Sequence, residues 1–351
     1  MNKNFITIFL LFIMVVPSGV FANTDALWRI YDARADLQRV FTPVTGSLMP
    51  NAHAGSLNNL EEWARTEGWK EYPHALASYA PNASKTRITR VDPSEVESKI
   101  RATAYVVMDK KTGTILTMKN EQLVWPIASL TKLMTADIVL SKNPPLTKLF
   151  PVFKEDNVGG AKLAVKHGDT LTIDDLFYAM LVGSANNAAN ALSRTTGLSR
   201  EAFVEKMNAR ASELGLIKTH FADPSGMELG NVSTTLELSR LVKEVFENPK
   251  AARYLGTSLK AIRVANTGET KKIKSTNWML TYPEYDALYV TGGKTGYLEE
   301  SQWNFASTIK PNATDDTREL LVVLFGSDSR AQSFADTQAL VNWAWHVYEW
   351  K

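Results

Sequence analysis

The sequence predicts a mixed α/β fold of the α+β kind, in which helices flank an antiparallel sheet and a mostly helical lobe is attached to it. Three observations favour this fold. An early pair of strand-like runs indicates a hairpin, a long block of helical patterns follows it, and strand-like runs return before a closing helical pattern. We therefore expect strands from both ends of the chain to share one sheet, with the helical lobe inserted between them.

The hairpin pattern covers residues 102–118. Strand-like runs at residues 102–108 and 114–118 enclose a turn at 109–113, which contains the tripeptide Lys-Thr-Gly beginning at Lys111. This copy of the tripeptide is therefore expected at a hairpin tip, where its residues serve the turn.

The helical block covers residues 129–256. It contains two capping patterns, in which Thr172 and Thr234 are each followed three residues later by an acidic residue. The later strand-like runs and the closing helical pattern occupy residues 288–291, 302–310, 318–325 and 329–350. We expect these strands to complete the sheet and the closing helix to pack on it.

Residues 1–22 have the pattern of a secretory signal peptide. Lys3 precedes an apolar run at residues 5–16, and the segment ending at Ala22 offers a cleavage site. The run is shorter than the ~20 apolar residues that span a bilayer. We therefore expect an exported protein of the periplasm or cell-wall space, whose mature chain begins at Asn23.

Residues 23–98 carry no chemical motif. We therefore expect an N-terminal extension of unknown role ahead of a main domain at residues 99–351.

Composition limits the partners and the chemistry that can be expected. The 39 basic and 37 acidic residues leave a formal charge of +2, which gives no reason to expect nucleic acid or an anionic membrane surface as a partner. The sequence has no cysteine, which excludes disulfides and a thiolate nucleophile. Its five histidines are scattered without metal-ligand spacing, so neither a zinc peptidase nor any metal or cofactor is expected.

A candidate nucleophile lies where the helical block begins. Ser129 precedes an apolar helical pattern, and Lys132 follows it at a spacing that puts both side chains on one helical face. A neutral lysine amine there can take the hydroxyl proton, and the free N–H groups of a helix N-terminus stabilise an oxyanion beside the serine. The pair predicts a serine nucleophile with a lysine base.

A second Ser-x-x-Lys copy, Ser307 and Lys310, serves as a control. It lies in a strand-like run, where residues three apart face opposite sides of the sheet. These two side chains are therefore not expected to cooperate.

Two further short motifs follow Ser129 along the chain. Ser184 and Asn186 form a Ser-x-Asn triplet after a helical run, and a second Lys-Thr-Gly copy begins at Lys294. Each motif alone is a weak signal, and the triplet by itself is typical of a capping turn. Their order is that of serine acyl-transferring enzymes that act on penicillin or on cell-wall peptides. The copy at Lys111 precedes the serine and does not fit this order.

The motifs and the segments around them resemble the low-molecular-mass penicillin-binding DD-peptidases, the D-alanyl-D-alanine carboxypeptidase and endopeptidase family. The resemblance extends from about residue 102 to the closing helix and rests on MDKKTGTILTMKNEQLVWPIASLTKLMTA, LVGSANNAANAL, EKMNARASELGLIKTHFADPSGM and GGKTGY. It implies a fold like that of β-lactamases and transpeptidases, with a serine DD-peptidase domain at residues 99–351. It also implies peptidoglycan stem peptides as substrates and β-lactam antibiotics as covalent inhibitors.

The same resemblance implies a role for each motif residue. Ser129 would attack the carbonyl between two D-alanines, and Lys132, kept neutral by burial and by the nearby Lys294, would act as general base. Ser184 would relay the proton to the leaving amine, and Asn186 would hold the substrate amide and the lysine base.

The strand at the second Lys-Thr-Gly copy is implied to bind the substrate. Lys294 and Thr295 would receive the terminal carboxylate of the substrate or of penicillin. Gly296 would let substrate and the serine helix approach the strand closely. The backbone N–H groups of Ser129 and Tyr297 would form the oxyanion hole.

Substrate preference is open, because the residues after this motif depart from the usual family pattern: Leu298 is followed by two glutamates instead of an Ala-Gly pair. An endopeptidase acting on cross-links is favoured, since the chain stops after a closing helix whose few cations suit packing on a sheet rather than a stable membrane anchor. A D-alanyl-D-alanine carboxypeptidase is the first alternative. A class A β-lactamase would need a Glu-x-x-x-Asn loop, which is not found after Ser184. A non-catalytic wall-binding protein is the last alternative.

Overall fold

The computed structural model describes residues 86–96 and 99–351. The expected signal peptide and most of the expected N-terminal extension lie outside the described residues. Both therefore stay predictions.

The strands of the described residues are β1 (Ile88–Arg90), β2 (Ala104–Asp109), β3 (Ile115–Lys119), β4 (Trp125–Pro126), β5 (Leu149–Val152), β6 (Asp169–Thr172), β7 (Val232–Ser233), β8 (Leu259–Arg263), β9 (Thr270–Lys274), β10 (Tyr289–Leu298), β11 (Gln302–Lys310), β12 (Leu320–Ser327) and β13 (Tyr348–Trp350). The α-helices are α1 (Lys132–Ser141), α2 (Ile173–Leu181), α3 (Asn186–Arg194), α4 (Arg200–Glu213), α5 (Thr235–Glu247), α6 (Pro249–Leu255) and α7 (Arg330–Val347). A 3-10 turn at Ala128–Thr131, the serine turn, runs directly into α1.

The central sheet of the described part has the strand order β10-β11-β12-β2-β3, and each neighbouring pair is antiparallel. The early hairpin joins the late strands through β2 and β12, where Asp109 pairs with Leu320 and Ala104 with Phe325. The prediction that both ends of the chain build one sheet is therefore confirmed.

Helices cover both faces of this sheet. Every residue of β12 is buried, and alternate residues of a strand point to opposite faces, so neither face of β12 is open to solvent. On one face, Phe334 and Leu340 of α7 share a core cluster with Val107 and Phe305 of the sheet. Helix α5 packs against β12 and β2 and connects the sheet to the helical lobe.

Helix α1 directly follows the serine turn. It packs against α3, α4 and α5, and its residues are buried on almost every side, including Lys132. A helix that is buried all round has no solvent-facing stripe to be read from its sequence. The serine turn therefore leads straight into the core of the lobe.

The two predicted helix caps are confirmed. The Thr172 hydroxyl accepts a hydrogen bond from the backbone N–H of Asp175 at 3.0 Å, at the start of α2. The Thr234 hydroxyl accepts from the backbone N–H of Glu237 at 3.1 Å, at the start of α5. Each cap satisfies an N–H group that a helix leaves without an internal partner.

The strand predicted at residues 288–291 was too short, because β10 continues through the second Lys-Thr-Gly copy to Leu298. Glycines weaken a strand pattern in sequence, but here they are needed. A Cβ on Gly292 would lie 3.2 Å from the Leu255 side chain, and one on Gly296 would lie 2.7 Å from the Ile127 carbonyl oxygen.

The helix predicted at residues 329–350 was wrong at its last three positions, which form β13. Their side chains hold them against the sheet. The Tyr348 hydroxyl donates to the Leu116 carbonyl at 2.7 Å, and the Trp350 indole N–H donates to Asp109 Oδ2 at 2.9 Å. These tertiary contacts override a helical pattern that is continuous in the sequence.

Strand β1 lies on the N-terminal side of the expected domain boundary at residue 99. It pairs with β13, and the Arg87 backbone N–H donates to the Lys351 carbonyl at 2.7 Å. Val96 packs against the core cluster, and the Trp343 indole N–H donates to the Ser94 carbonyl at 3.0 Å. The described contacts therefore reach beyond the boundary, which stays a prediction.

Membrane-spanning helices and metal-binding clusters are both absent from the described residues. No helix there has the length and apolar character needed to cross a membrane. In the same residues, no group of histidine and acidic side chains is arranged to hold a metal ion.

A chain beginning at Lys99 is expected to fold but to melt at a lower temperature than one beginning at Thr86. The shorter chain keeps the five paired strands of the central sheet and loses the β1–β13 hydrogen bonds. A loss of about 2 kcal/mol corresponds to a melting temperature lower by about 4–8 °C in a domain of this size. Thermal unfolding followed by circular dichroism compares the two chains. An unfolded shorter chain would show that the boundary lies before residue 99.

Candidate active site

The serine turn is held in place by the strands on either side of it. Pro126 in β4 pairs with Val232 in β7, and the Ile127 backbone N–H donates to the Asn231 carbonyl at 2.9 Å. Ala128 has a φ of 49°, in the left-handed region, so the chain turns sharply before Ser129. This turn places the Ser129 side chain, which is half-buried, at the start of α1.

Lys132 points back along the helix to Ser129, as the spacing of the two residues predicts. Its Nζ lies 2.7 Å from Ser129 Oγ, 2.7 Å from Asn186 Oδ1 and 2.5 Å from the carbonyl oxygen of Ser225. The lysine is fully buried, with 0% of its surface exposed. The amine therefore contacts the candidate nucleophile directly and is enclosed by acceptors.

The environment of Lys132 makes its amine a usable base near neutral pH. Burial lowers the pKa of Lys132 to about 7, because the charged form loses its hydration, and the negative charge of Asp223 raises this pKa in part. A base with a pKa near the working pH combines a large neutral fraction with useful basicity. The structure thus supplies the chemistry expected from the Ser-x-x-Lys motif.

Ser184 lies in the link between α2 and α3. It has a φ of 60°, a strained conformation for a residue other than glycine. Its hydroxyl accepts a hydrogen bond from Lys294 Nζ at 2.8 Å. The strained link therefore aims Ser184 at the strand that carries the second Lys-Thr-Gly copy.

Asn186 begins α3 and ties this helix to the serine turn. Its Oδ1 accepts from Lys132, and its Nδ2 donates to the Gly159 carbonyl at 2.8 Å. Its backbone N–H donates to the Ala161 carbonyl at 2.7 Å. Both ends of the side-chain amide are thereby fixed, which defines which atom faces the lysine.

Lys294 is also fully buried, and its surroundings differ from those expected of a direct carboxylate ligand. Its Nζ donates to Ser184 Oγ and to the Thr295 carbonyl, each at 2.8 Å. Burial holds the pKa of Lys294 well below its usual value, and the positive charges of Lys132 and Arg330 lower it further. Repulsion between the two lysine amines in this buried site disfavours the state in which both are protonated.

Strand β10 lies directly against the serine turn. The Cβ that Gly296 lacks would lie 3.3 Å from the backbone nitrogen of Ser129, so the two backbones approach closely. β10 is an edge strand of the central sheet, and its free edge leaves backbone groups available for another peptide. Thr295 Oγ1 donates to Thr276 Oγ1 at 2.7 Å, and Tyr297 is 46% exposed at the end of the site.

Arg330 belongs to the site, although the sequence patterns did not indicate it. Its guanidinium lies over the rings of Trp303 and Trp278, with its Cζ 4.5 Å and 5.4 Å from the ring centroids. Its Nε is buried without a hydrogen-bond partner in the described residues. Its charge acts on Lys294, which places the guanidinium near the Lys-Thr-Gly segment. An isolated arginine after a strand carries no motif, so only the fold reveals it.

Asp223 is a second residue that the motif analysis missed. It lies within the stretch FADPSGM, where it is unexposed and organises the turn whose Ser225 carbonyl contacts Lys132. The resemblance included this stretch, but nothing in its composition distinguishes a structural aspartate from a residue that acts on the base.

Neither the Ser-x-x-Lys copy at Ser307 nor the Lys-Thr-Gly copy at Lys111 joins the site. The Ser307 hydroxyl is unexposed and donates to the Gly292 carbonyl at 2.7 Å, while Lys310 pairs with Asp316. At the early hairpin, Thr112 Oγ1 donates to Asp109 Oδ1 at 2.7 Å within a tight turn. Both controls behave as the sequence predicts.

Three features define a serine acyl-transferring enzyme of the β-lactamase and DD-peptidase fold: the sheet with its helical lobe, the serine with a buried lysine one helical turn away, and the contact of Ser184 with Lys294 of the edge strand. The chain belongs to peptidase family S11, the D-alanyl-D-alanine carboxypeptidase family, which matches residues 89–329. It is accordingly a serine-type D-Ala-D-Ala peptidase, and the predicted family, fold and enzyme class are confirmed.

Several characterised proteins are similar to this chain. A D-alanyl-D-alanine endopeptidase of Haemophilus influenzae is 32% identical over 68% of this chain and 80% of that protein. One of Pseudomonas aeruginosa is 28% identical over 71% and 78%, and a D-alanyl-D-alanine carboxypeptidase of Bacillus subtilis is 27% identical over 78% and 69%. A solved structure of a mutant Streptomyces DD-transpeptidase matches with a TM-score of 0.65 at 26% identity, covering 71% of this chain and all of that one.

Replacing Lys132 with methionine is expected to change how stability depends on pH. Between about pH 7 and the ordinary lysine value of 10.5, the folded amine is neutral while the unfolded amine binds a proton. The free energy of unfolding therefore rises with pH in this window, by up to about 1.4 kcal/mol per unit for this group. Lys132→Met removes that contribution, so its stability gains less than the wild type on going from pH 7 to pH 9.

Urea unfolding at pH 7, 8 and 9 measures this difference. Lys142→Met, at an exposed position just after α1, is the matched control and should keep the wild-type slope. A wild-type slope in Lys132→Met would contradict a neutral buried amine.

Proposed function

We propose that Ser129 is the nucleophile of this DD-peptidase, that Lys132 is its general base, and that D-alanyl cross-links between peptidoglycan stem peptides are its preferred substrate. The observation that carries the proposal is the buried Lys132 amine 2.7 Å from Ser129 Oγ. No other serine of the predicted motifs has a depressed-pKa lysine on the same helical face.

In the acylation step, the neutral Lys132 amine takes the hydroxyl proton as Ser129 Oγ attacks the D-alanyl carbonyl carbon. The carbonyl oxygen becomes an oxyanion beside the backbone N–H groups of Ser129 and Tyr297, where β10 and the serine turn approach each other. The C–N bond then breaks, the leaving amine receives the proton, and the acyl group stays on Ser129. Water completes the cycle by hydrolysing this ester.

Ser184 supplies the path for the proton. Its oxygen accepts a hydrogen bond from Lys294, so its O–H is free to donate to a leaving amine in the cleft, while the oxygen takes up a proton from the Lys132 side. Asn186 keeps the Lys132 amine directed at Ser129 and at the cleft. The four residues thus divide into a nucleophile, a base, a relay and an orienting amide.

The carboxylate of the substrate is assigned to Thr295 and Arg330. Lys294, expected to bind this carboxylate directly, has its amine enclosed between Ser184 and the Thr295 carbonyl. The Arg330 Nε is buried without a hydrogen-bond partner among the described residues, and a guanidinium suits a carboxylate geometrically. Lys294 then contributes its hydrogen bond to Ser184.

The free edge of β10 favours a peptide substrate in extended form. An extended peptide can add to a sheet edge through main-chain hydrogen bonds, which brings its scissile bond past the serine turn. A β-lactam carries an amide and a carboxylate in a comparable arrangement, so penicillins are expected to acylate Ser129 as covalent inhibitors. These interactions, together with the signal-peptide pattern, support an exported enzyme acting in the periplasm or cell-wall space.

Cross-links are preferred in this proposal because the endopeptidases of two species are 32% and 28% identical to the chain over more than two thirds of its length. Carboxypeptidase activity on stem-peptide ends is the second candidate, supported by the similar Bacillus subtilis enzyme. A β-lactamase needs a carboxylate free to activate water. The acid that faces Lys132 is Asp223, whose oxygens are engaged by backbone and side-chain donors.

Replacing Ser129 with alanine is expected to abolish covalent labelling by a fluorescent penicillin. The variant lacks the hydroxyl that contacts the Lys132 amine and that would accept the acyl group. Ser307→Ala is the matched control and should be labelled at close to the wild-type rate, since that hydroxyl only bonds to a strand carbonyl. Gel fluorescence after a fixed exposure measures both. Labelling of Ser129→Ala would refute the assignment of the nucleophile.

Purified enzyme is expected to split cross-linked muropeptide dimers faster than it removes the terminal D-alanine from pentapeptide monomers, by about tenfold in kcat/KM. The two substrates are digested side by side and followed by liquid chromatography, with Ser129→Ala as the blank for contaminating hydrolases. Rapid loss of D-alanine from monomers beside untouched dimers would reverse the assignment in favour of a carboxypeptidase.

A further inference from the structure

Asp223 is the centre of a dense hydrogen-bonded turn between α4 and β7. Its Oδ1 accepts from the backbone N–H of Ser225 at 2.5 Å, the Ser225 hydroxyl at 2.6 Å and the backbone N–H of Gly226 at 2.8 Å. Its Oδ2 accepts from the backbone N–H of Glu228 at 2.7 Å and from Asn231 Nδ2 at 2.8 Å. The carboxylate is unexposed and its pKa is lowered, because these hydrogen bonds outweigh the effect of burial.

Two successive carbonyl groups of the turn that Asp223 organises accept hydrogen bonds from side chains at the start of α1. The Pro224 carbonyl accepts from Thr135 Oγ1 at 2.6 Å, and the Ser225 carbonyl accepts from Lys132 Nζ at 2.5 Å. Gly226 then has a φ of 83°, and any Cβ there would overlap the Ala128 carbonyl of the serine turn. The position of the amine therefore depends on a turn whose shape is set by one carboxylate.

The charged groups around Lys132 are unevenly distributed. Asp223 places a negative charge on the side of the turn, whereas on the side of β10 the positive charge of Arg330 acts on Lys294. Several acids on α1 and on its neighbouring helices bond to partners of their own: Asp137 and Glu244 to Arg210, Glu237 to Lys218 and Thr219, Asp174 to Arg253, and Asp175 to Thr172. Among the described residues, Asp223 is the acid whose negative charge acts on the base.

We propose that Asp223 is a positioning residue for acylation: its carboxylate fixes the turn whose Ser225 carbonyl orients the Lys132 amine, and its negative charge acts on that same amine. The inference rests on the proposed role of Lys132 as general base. Asp223 touches neither substrate nor the reacting atoms, and it acts through Lys132 and Ser225.

The two parts of this role affect the pH dependence of the acylation rate differently. Loss of the turn alone lowers the acylation rate at every pH. Loss of the negative charge lowers the pKa of Lys132, so the amine stays neutral to lower pH and the acid limb of the rate profile moves down. A role confined to folding would not move that limb.

The experiment compares Asp223→Asn with Ser225→Ala in the full-length mature protein. Second-order rate constants for acylation by a fluorescent penicillin are measured from pH 5 to pH 9. Asp223→Asn is expected to move the midpoint of the acid limb down by about one pH unit, while its plateau rate falls. Ser225→Ala is the matched control, because it removes a hydrogen bond to Asp223 but keeps the charge. Its midpoint should stay at the wild-type pH.

An unmoved midpoint in a folded Asp223→Asn variant would overturn the inference. The Asn amide would bring an N–H donor into a site lined by donors. Asp223→Ser, which places an accepting hydroxyl there, repeats the comparison if the first variant does not fold. Failure of both variants to fold would assign Asp223 to folding and likewise overturn it. Lys132→Ala separates the two proposals: undiminished acylation in that variant would refute Lys132 as the base, whereas an inactive Lys132→Ala beside an unmoved Asp223→Asn midpoint refutes the role of Asp223 alone.

Discussion

The burial of two lysine amines in one cleft is the constraint on which the rest of the site depends. Lys132 and Lys294 are both unexposed, and an isolated ammonium removed from water costs several kcal/mol. The protein meets this cost by lowering their pKa values and by surrounding each amine with oxygen acceptors. The same arrangement that makes the burial tolerable yields a lysine that can accept a proton from Ser129.

The elements of the fold can be understood as the supports of those two amines. Helix α1 presents Lys132 from inside the lobe, and β10 presents Lys294 from the edge of the sheet. Gly296 lets the strand lie against the serine turn, since a side chain there would meet the Ile127 carbonyl at 2.7 Å. Ser184, whose φ lies in the left-handed region, then connects the lobe to the strand through its hydrogen bond with Lys294. Strained or side-chain-free backbone is concentrated where the two halves of the protein meet, as expected for a preorganised site.

Site residues could be predicted from the sequence where their spacing along a regular helix or strand agrees with the chemistry of their side chains. Ser129 and Lys132 could be paired because helical spacing is regular, and Ser307 could be set aside because strand spacing is regular as well. Arg330 and Asp223 could not be found in this way, since their neighbours in space are distant in sequence and no motif surrounds them. The extension of β10 through its glycines and the switch from α7 to β13 were missed for a related reason. In both places contacts with distant segments override local propensity.

The pairing of β2 with β12 has a consequence for the order in which the protein folds. Asp109 meets Leu320 across this seam, so the whole helical lobe lies in the chain between the two partners. Contacts between residues so far apart in sequence close long loops and form slowly, whereas helices of the lobe assemble from local contacts. β10, which carries Lys294, is attached to the early hairpin only through β11 and β12. We therefore expect Ser129 and Lys294 to be brought into one cleft at a late stage of folding, after the local contacts of the lobe have formed.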